Sequence, residues 1–89
     1  MTAAPDSAAV TMYTTTWCGY CVRLKRLMQH QGIEFAEVDI EADKGAAEIV
    51  MAANGGNRTV PTLVFADGSA LTNPSIEQVM AQLSTTAEA

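Results

Sequence analysis

The sequence has few basic residues and no long apolar run, and both shortages exclude classes of function. The chain has five Lys and Arg residues and ten Asp and Glu residues, which gives a formal charge of −5. Such a chain is a poor general binder of nucleic acid, because phosphate contacts need basic side chains. The apolar runs fall far short of the ~20 residues that cross a bilayer, and the opening MTAAPDSAAV lacks the features of a targeting segment. We expect a cytoplasmic protein without nucleic-acid or membrane partners.

Cysteine and histidine are also scarce, which limits metal binding. Cys18, Cys21 and His30 are the only residues of these two types, whereas a structural zinc site uses four ligands, usually Cys and His. His30 falls at the far end of a predicted helix from Cys18, so we expect no metal site within one chain. An iron–sulfur cluster shared between two chains remains an alternative, because each chain then supplies only part of the ligand set.

The spacing of the two cysteines argues against a structural disulfide. A bridge from Cys18 to Cys21 closes a very short loop, and the stabilisation that a disulfide provides grows with loop length. In a reducing cytosol, a lone cysteine pair is more typical of catalysis or metal binding. The sequence therefore favours a redox pair.

Apolar residues recur at strand and helix periods in an order that predicts an α/β fold. A strand followed by a helix and a second strand implies a parallel pair, and Asp67-Gly68 predicts a hairpin with antiparallel strands. The result is a four-stranded mixed sheet flanked by three helices, in the order β-α-β-α-β-β-α. We predict strands at 9–13, 34–40, 62–65 and 69–71 and helices at 20–31, 43–53 and from 73 onward. Residues 9–84 would form a single monomeric domain, with a flexible leader at 1–8 and a flexible tail at 85–89.

Local signals predict where the helices begin and which faces they bury. Asp43 is a candidate cap for the second helix, and Asn73 followed by Pro74 is a candidate start for the third. Four residues of the second helix and four of the third fall at helical spacing and are predicted to be buried: Ala46, Ile49, Val50, Ala53, Ile76, Val79, Met80 and Leu83.

The position of the cysteines assigns them different roles. Cys18 lies between the end of the first predicted strand and the start of the first predicted helix. The free N–H groups and the positive dipole end at a helix start favour a thiolate. The thiolate is the reactive form of cysteine. Cys21 is three residues further on, on the same helix face, and should be more buried. We therefore expect Cys18 to be the nucleophile and Cys21 the resolving cysteine.

The motifs resemble those of the glutaredoxin branch of the thioredoxin superfamily. The likeness rests on Tyr13, on the Cys18-Gly19-Tyr20-Cys21 motif and on Thr59-Val60-Pro61, and it covers about residues 9–83. Within that branch, WCGYC, NGGNRTVPT, FADGS and LTNPS look like the mycoredoxins of actinobacteria. The resemblance implies a thioredoxin fold, thiol–disulfide oxidoreductase activity, and a cis Pro61 whose neighbour Val60 binds the thiol cofactor through its backbone.

Two departures from the glutathione-using pattern bear on the cofactor. Thr15 stands where those glutaredoxins commonly have Lys, and Thr72-Asn73-Pro74-Ser75 stands where they commonly have a Gly-Gly-Cys-Asp-like stretch. Both changes weaken recognition of a thiol with two carboxylates. The resemblance to mycoredoxins implies mycothiol instead, a cysteine–glucosamine–inositol thiol recycled by an NADPH-dependent reductase. The candidate residues for binding the thiol or its mycothiolated client proteins are Thr15, Trp17, Tyr20, Arg58, Thr59, Val60, Pro61, Thr72, Asn73 and Ser75.

Other interpretations stay open. The protein could be a dithiol donor to ribonucleotide reductase, like a related small redoxin, or a dimeric iron–sulfur carrier. Trp17 is either a packing residue or a platform for partners, and Arg58 is either a solvated charge or a ligand contact. We interpret residues 54–57 as a turn only.

Overall fold

A computed structural model describes residues 10–87 and the side chains of residues 10–84. The elements follow the predicted order: β1 (Val10–Thr14), α1 (Gly19–His30), β2 (Phe35–Asp39), α2 (Lys44–Ala53), β3 (Thr62–Phe65), β4 (Ala70–Thr72) and α3 (Ile76–Ala87). Two parts of the chain lie outside the described residues. They are residues 1–9, which include the predicted leader at 1–8, and residues 88–89 of the predicted tail. Residues 85–87, also predicted as tail, belong to α3.

The four strands form one mixed sheet in the order β2-β1-β3-β4. Strand β1 is parallel to β2 and antiparallel to β3, with Tyr13 opposite both Val38 and Thr62. Strands β3 and β4 form the predicted hairpin, in which the Asp67 side chain accepts hydrogen bonds from the Ser69 amide at 2.9 Å and hydroxyl at 2.6 Å. The predicted fold class is confirmed.

The two faces of the sheet carry separate hydrophobic clusters. Met12 and Leu63, which are opposite each other on β1 and β3, pack with Cys21 of α1 and Val79 of α3. The alternate residues of the same strands face the other way, and Tyr13 packs there against α2. The sheet therefore separates α1 and α3 from α2, and both cysteines belong to the first cluster.

Two predicted buried faces need correction. In α2, Ala46, Ala47 and Val50 are buried, whereas Ala53 is exposed and Ile49 is 46% exposed. In α3, Val79 is buried and Met80 is 44% exposed. Periodicity alone does not distinguish between two small rotations of a helix about its axis, which bury different neighbouring residues. In α2, the small Ala46 and Ala47 side chains pack closely and fix the rotation that exposes Ile49.

The predicted start of α3 is also wrong by two residues. Asn73 has a positive φ of 46° and precedes the helix. Ser75 is the capping residue: its hydroxyl accepts from the Gln78 amide at 3.1 Å, and the Gln78 side chain accepts from the Ser75 amide at 2.8 Å. This reciprocal pair is a capping box. At the start of α2, the predicted cap Asp43 is confirmed, because its carboxylate accepts from Gly45 and Ala46.

Candidate active site

Cys18 is the residue that caps helix α1. Its backbone is extended, and its sulfur accepts a hydrogen bond of 3.1 Å from the Cys21 amide. A capping side chain normally takes a hydroxyl or carboxylate oxygen to the free N–H groups of the first turn, and here a sulfur takes that place. The amide and the positive end of the helix dipole both favour negative charge on this sulfur.

Cys21 lies one turn into the helix and is 2% exposed, against 6% for Cys18. Burial raises the pKa of the Cys21 thiol to about 12, and the hydrogen bond with the Cys18 side chain and the charges of Cys18 and Glu37 act in the same direction. A hydrogen bond with the Thr15 backbone works against this rise in pKa. At neutral pH, Cys21 is therefore a protonated thiol, and it needs to lose a proton before it can attack a disulfide.

The loop before β3 comes within reach of Cys18. The Val60–Pro61 peptide bond is cis, and the Cys18 thiol donates to the Val60 carbonyl oxygen at a sulfur–oxygen distance of 3.9 Å. The Pro61 carbonyl accepts a 2.7 Å hydrogen bond from the Asn73 amide. The structure thus brings together Cys18, Val60, Pro61 and Asn73, while Thr59 before them is exposed.

A hydrogen-bond network centred on Asn54 holds this loop. The Asn54 side-chain amide donates to the Thr62 hydroxyl at 3.0 Å, and that hydroxyl donates to the Thr59 carbonyl at 2.7 Å. The Asn54 side-chain oxygen accepts a hydrogen bond from the Thr72 hydroxyl. Asn54 therefore connects the end of α2 with the loop that carries Val60 and with the residue before Asn73.

A groove of about 390 Å³ lies between α1 and the start of α3. Three of the predicted thiol-binding residues, Tyr20, Asn73 and Ser75, line this groove together. Only two of its lining residues are charged, Arg23 and Glu77, and their charges are opposite. The groove is therefore close to neutral, with a hydroxyl, an amide and a phenol on its walls.

The remaining predicted residues lie elsewhere. Thr15 is buried and lines a different cleft, on the side of Cys21. Arg58 is exposed and lines a third cleft with Ile40, Glu41 and residues of α2. Thr72 is exposed at the end of β4.

Trp17 lies outside all these clefts on the loop before α1. It is 71% exposed, and its indole N–H donates a 3.0 Å hydrogen bond to the Glu41 carboxylate. Since most of its ring faces solvent, Trp17 is available to a partner rather than packed in the core.

Sequence patterns did not point to Asn54, Glu37 or Glu41. Asn54 belongs to a stretch that reads as a turn, and its partners Thr62 and Thr72 are distant in sequence, so no local pattern could reveal the network. The Ser75 cap was detectable, because Ser followed by Gln three residues later is a known helix-start signature.

Neither a cluster of metal ligands nor a membrane-spanning helix is found in the part of the chain that the structure describes. Within residues 10–87, no group of three or more His, Cys, Asp or Glu residues is placed to hold a metal ion. In the same part of the chain, no helix is long and apolar enough to cross a membrane.

A mixed four-stranded sheet, a Cys-x-x-Cys motif at a helix start and a cis-proline loop beside it define a thiol–disulfide oxidoreductase of the thioredoxin superfamily. The glutaredoxin family model matches residues 10–71, and the chain belongs to the glutaredoxin family.

Known proteins support this assignment. A Mycobacterium tuberculosis protein described as a glutaredoxin is 60% identical over 77 residues, which cover 86% of this chain and 92% of that protein. Mycoredoxin 1 of Corynebacterium glutamicum is 40% identical over 74 residues, covering 83% of this chain and 91% of mycoredoxin 1. The crystal structure of a glutaredoxin from Archaeoglobus fulgidus superposes with a TM-score of 0.69 at 26% identity, covering 82% and 83% of the two chains. The expected resemblance to glutaredoxins and mycoredoxins is confirmed.

Proposed function

We propose that the protein reduces mixed disulfides between client proteins and mycothiol, with Cys18 as the nucleophile and Cys21 as the resolving cysteine. The observation that carries this proposal is a near-neutral groove lined by Tyr20, Asn73 and Ser75. Tyr20 lies between the two cysteines in sequence, and the Asn73 amide bonds to the carbonyl of Pro61. The sugar and inositol of mycothiol present hydroxyl groups, which pair with neutral donors and acceptors such as amide and hydroxyl side chains.

Glutathione fits this groove less well. Its two carboxylates are best bound by cationic side chains, and the single cation of the groove, Arg23, shares it with the acidic Glu77. The lysine that glutathione-using members commonly have is replaced by Thr15, which is buried. The 40% identity to a protein named mycoredoxin 1 supports the same choice of thiol.

The first step transfers mycothiol from the client to the enzyme. The Cys18 thiolate attacks the mycothiol sulfur of the mixed disulfide, the bond between mycothiol and the client breaks, and the client cysteine leaves as a thiolate that takes up a proton. The product is a Cys18–mycothiol disulfide. The hydrogen bond from the Cys21 amide to the Cys18 sulfur favours the thiolate that starts this step.

The second step regenerates the enzyme. The thiolate of a second mycothiol attacks the mycothiol sulfur bound to Cys18, which releases Cys18 as a thiolate and the two mycothiols as their disulfide. A separate flavoprotein reductase would reduce that disulfide with electrons from NADPH. Cys21 is not required for this cycle, but it can divert the intermediate into a Cys18–Cys21 disulfide that free mycothiol must reopen. We further propose that the protein acts as a cytoplasmic monomer without a metal.

A coupled assay tests the choice of thiol. Oxidation of NADPH is followed with a small disulfide substrate, using either mycothiol and its reductase or glutathione and its reductase at equal thiol concentration. We expect turnover with mycothiol and much slower turnover with glutathione, and comparable rates would overturn the assignment. Efficient reduction directly by thioredoxin reductase, with no low-molecular-weight thiol present, would favour a dithiol donor instead.

A pair of variants tests the groove. Tyr20 and Ile49 are both large, exposed side chains, at 68% and 46% exposure, but only Tyr20 lines the groove. We expect Tyr20→Ala to raise the KM for mycothiol severalfold and Ile49→Ala to leave it unchanged. An equal effect of the two substitutions would remove the groove as the mycothiol site.

A further inference from the structure

The groove between α1 and α3 carries one charge on each of its walls. Arg23 belongs to the α1 wall and Glu77 to the α3 wall, and both residues are exposed. In the described part of the chain, the one ion pair within 4.0 Å joins Lys25 and Glu37, which line the separate cleft beside Thr15. Arg23 and Glu77 therefore do not form an ion pair with each other, and the α3 wall of the groove keeps a negative charge.

The start of helix α3, which belongs to this wall, already supplies acceptors for its own amides. A helix start ordinarily binds anions, because its first N–H groups have no partner within the helix and lie at the positive end of the dipole. In α3, the Ser75 hydroxyl accepts from the Gln78 amide at 3.1 Å, and the Gln78 side chain accepts from the Ser75 amide at 2.8 Å. This capping box leaves fewer donors for the carboxylate of a bound thiol.

Glu77 adds a negative charge to the same turn. It is the acidic residue in the first turn of α3, where a carboxylate interacts favourably with the positive end of the helix dipole. A second carboxylate brought to this turn meets the charge of Glu77 at close range, and like charges repel. Uncharged groups such as hydroxyls meet no such repulsion and can still bond to the polar side chains of the groove.

We propose that Glu77 is a specificity-determining residue, which disfavours thiols that would place a carboxylate against the start of α3. The thiol that the groove accepts is then uncharged on the side that faces α3. The proposal rests on the proposed function in one respect, namely that the small-thiol half of the mixed disulfide occupies this groove.

Arg23 should have the opposite influence on the same choice. A guanidinium group binds carboxylates strongly, so Arg23 favours an anionic thiol, whereas Glu77 disfavours it. Neutralising the two residues should therefore shift the preference of the groove in opposite directions. A general loss of packing at the groove would instead slow the reaction with charged and uncharged thiols alike.

A single exchange step measures this preference without mycothiol. Reduced Cys21→Ser protein is mixed with excess glutathione disulfide or with its ethyl ester, which has a similar shape but no free carboxylates. The Cys18 thiolate attacks one sulfur, a mixed disulfide with Cys18 forms, and the other half leaves as a thiolate that solvent protonates. Mass spectrometry after an acid quench follows the adduct. Each rate constant is divided by that of 2-mercaptoethanol with the same disulfide, which corrects for the intrinsic reactivity of the two reagents.

The ratio of the corrected rate constants, acid over ester, reports the charge preference. We expect Glu77→Gln to raise this ratio about threefold at low salt, the effect of one exposed charge at a few ångströms in water, and Glu77→Lys to raise it further. Arg23→Gln should lower the ratio. Raising the ionic strength from about 0.01 M to about 1 M shortens the Debye length from about 30 Å to about 3 Å, so the difference between the unmodified residue and Gln at position 77 should largely disappear.

A matched control separates the groove from the net charge of the protein. Glu34→Gln removes the same charge from an exposed acid that does not line the groove, and it should leave the ratio unchanged. An unchanged ratio in Glu77→Gln, an equal rise in Glu34→Gln, or a rise that persists at high salt overturns the proposal. Circular dichroism shows that each variant is folded. A test that needs no variant at position 77 is the ratio for Cys21→Ser alone, and the proposal also fails if this ratio does not rise with salt.

These outcomes are distinguishable from a failure of the proposed function. Comparable turnover with mycothiol and glutathione in the coupled NADPH assay would contradict mycothiol as the thiol, while a higher ratio in Glu77→Gln would still show that Glu77 disfavours carboxylates. Absence of a Cys18 adduct with both disulfides in Cys21→Ser would contradict the nucleophilic role of Cys18, on which the proposed function depends.

Discussion

The Cys21 amide donates a 3.1 Å hydrogen bond to the Cys18 sulfur, so the residue that we propose as the resolving cysteine also positions the sulfur that we propose as the nucleophile. This contact belongs to the backbone of Cys21 and survives replacement of its side chain. The two thiols therefore have separable roles: Cys18 depends on the helix start, and the Cys21 thiol depends on its buried surroundings.

The first prediction concerns single-cysteine variants. Cys18→Ser should abolish reduction of mycothiolated proteins, because a serine hydroxyl is no substitute for a thiolate in disulfide exchange. Cys21→Ser should keep most of the activity, since the amide that supports Cys18 is retained and a second mycothiol completes the cycle. The coupled NADPH assay on a mycothiolated client measures both variants, and equal loss of activity in the two would contradict the one-cysteine cycle.

The second prediction concerns pH. Folding raises the pKa of Cys21 from 9.0 to about 12, so between these values the folded state holds a proton that the unfolded state has lost. The contribution of this proton to stability is therefore complete below pH 9 and declines as the pH rises towards 12. We expect the free energy of unfolding in urea to fall more between pH 8 and pH 10 for the unmodified protein than for Cys21→Ser. Parallel losses in the two proteins would show that Cys21 has an ordinary pKa.

The fold was largely predictable because its signals are local. Strand and helix periods, the Asp67-Gly68 turn and the Asp43 cap each depend on neighbours within a few residues. The structure agrees with the order of elements, the turn and the cap that they predict, but not with every predicted buried residue of α2 and α3. The start of α3 was misplaced because two capping signals overlap. Asn73 and Pro74 resemble a helix start, but the Asn73 amide bonds to Pro61 and the chain turns there before Ser75 begins the helix.

The site was less predictable because it depends on distant contacts. The cysteines and the Val60-Pro61 loop could be identified from motifs. The cleft that holds Glu37 arises only when β2 pairs with β1 and α1 packs over both, which places Lys25 of α1 against Glu37. The location of Thr15 in that cleft, away from Asn73 and Ser75, likewise follows from tertiary packing.

The third prediction concerns the cap of α3. Ser75→Ala should lower the free energy of unfolding by about 1 kcal/mol, because it removes the side-chain acceptor of a capping box. Asn73→Gly should cost less or even stabilise, since glycine adopts the positive φ at residue 73 without steric cost. Urea unfolding of both variants tests this order, and the reverse order would restore Asn73 as the cap.

The fourth prediction concerns Trp17, the only tryptophan of the chain and therefore a specific fluorescent probe of the site. Glu41→Ala removes the carboxylate that accepts from its indole N–H, so the fluorescence anisotropy of Trp17 should fall. Thermal stability should change little, because exposed hydrogen bonds contribute only about 1 kcal/mol or less. Glu48→Ala, at an exposed acid of α2 outside this contact, is the control, and equal anisotropy in the two variants would show that Glu41 does not restrain Trp17.

The last prediction concerns the Asn54 network. Asn54→Ala removes the donor to Thr62 and the acceptor for Thr72. The Thr62 hydroxyl, which holds the loop carrying Val60 through the Thr59 carbonyl, then loses its own connection to α2. The KM for mycothiol should rise severalfold, while the alkylation rate of Cys18 stays the same, since the Cys21 amide still holds its sulfur. Asn57→Ala is the matched control, because the Asn57 side chain bonds to the Asn54 backbone carbonyl, at 3.3 Å, and not to Thr62 or Thr72. A uniform loss of activity and of Cys18 reactivity in Asn54→Ala would mean that Asn54 supports the whole fold rather than the position of the loop.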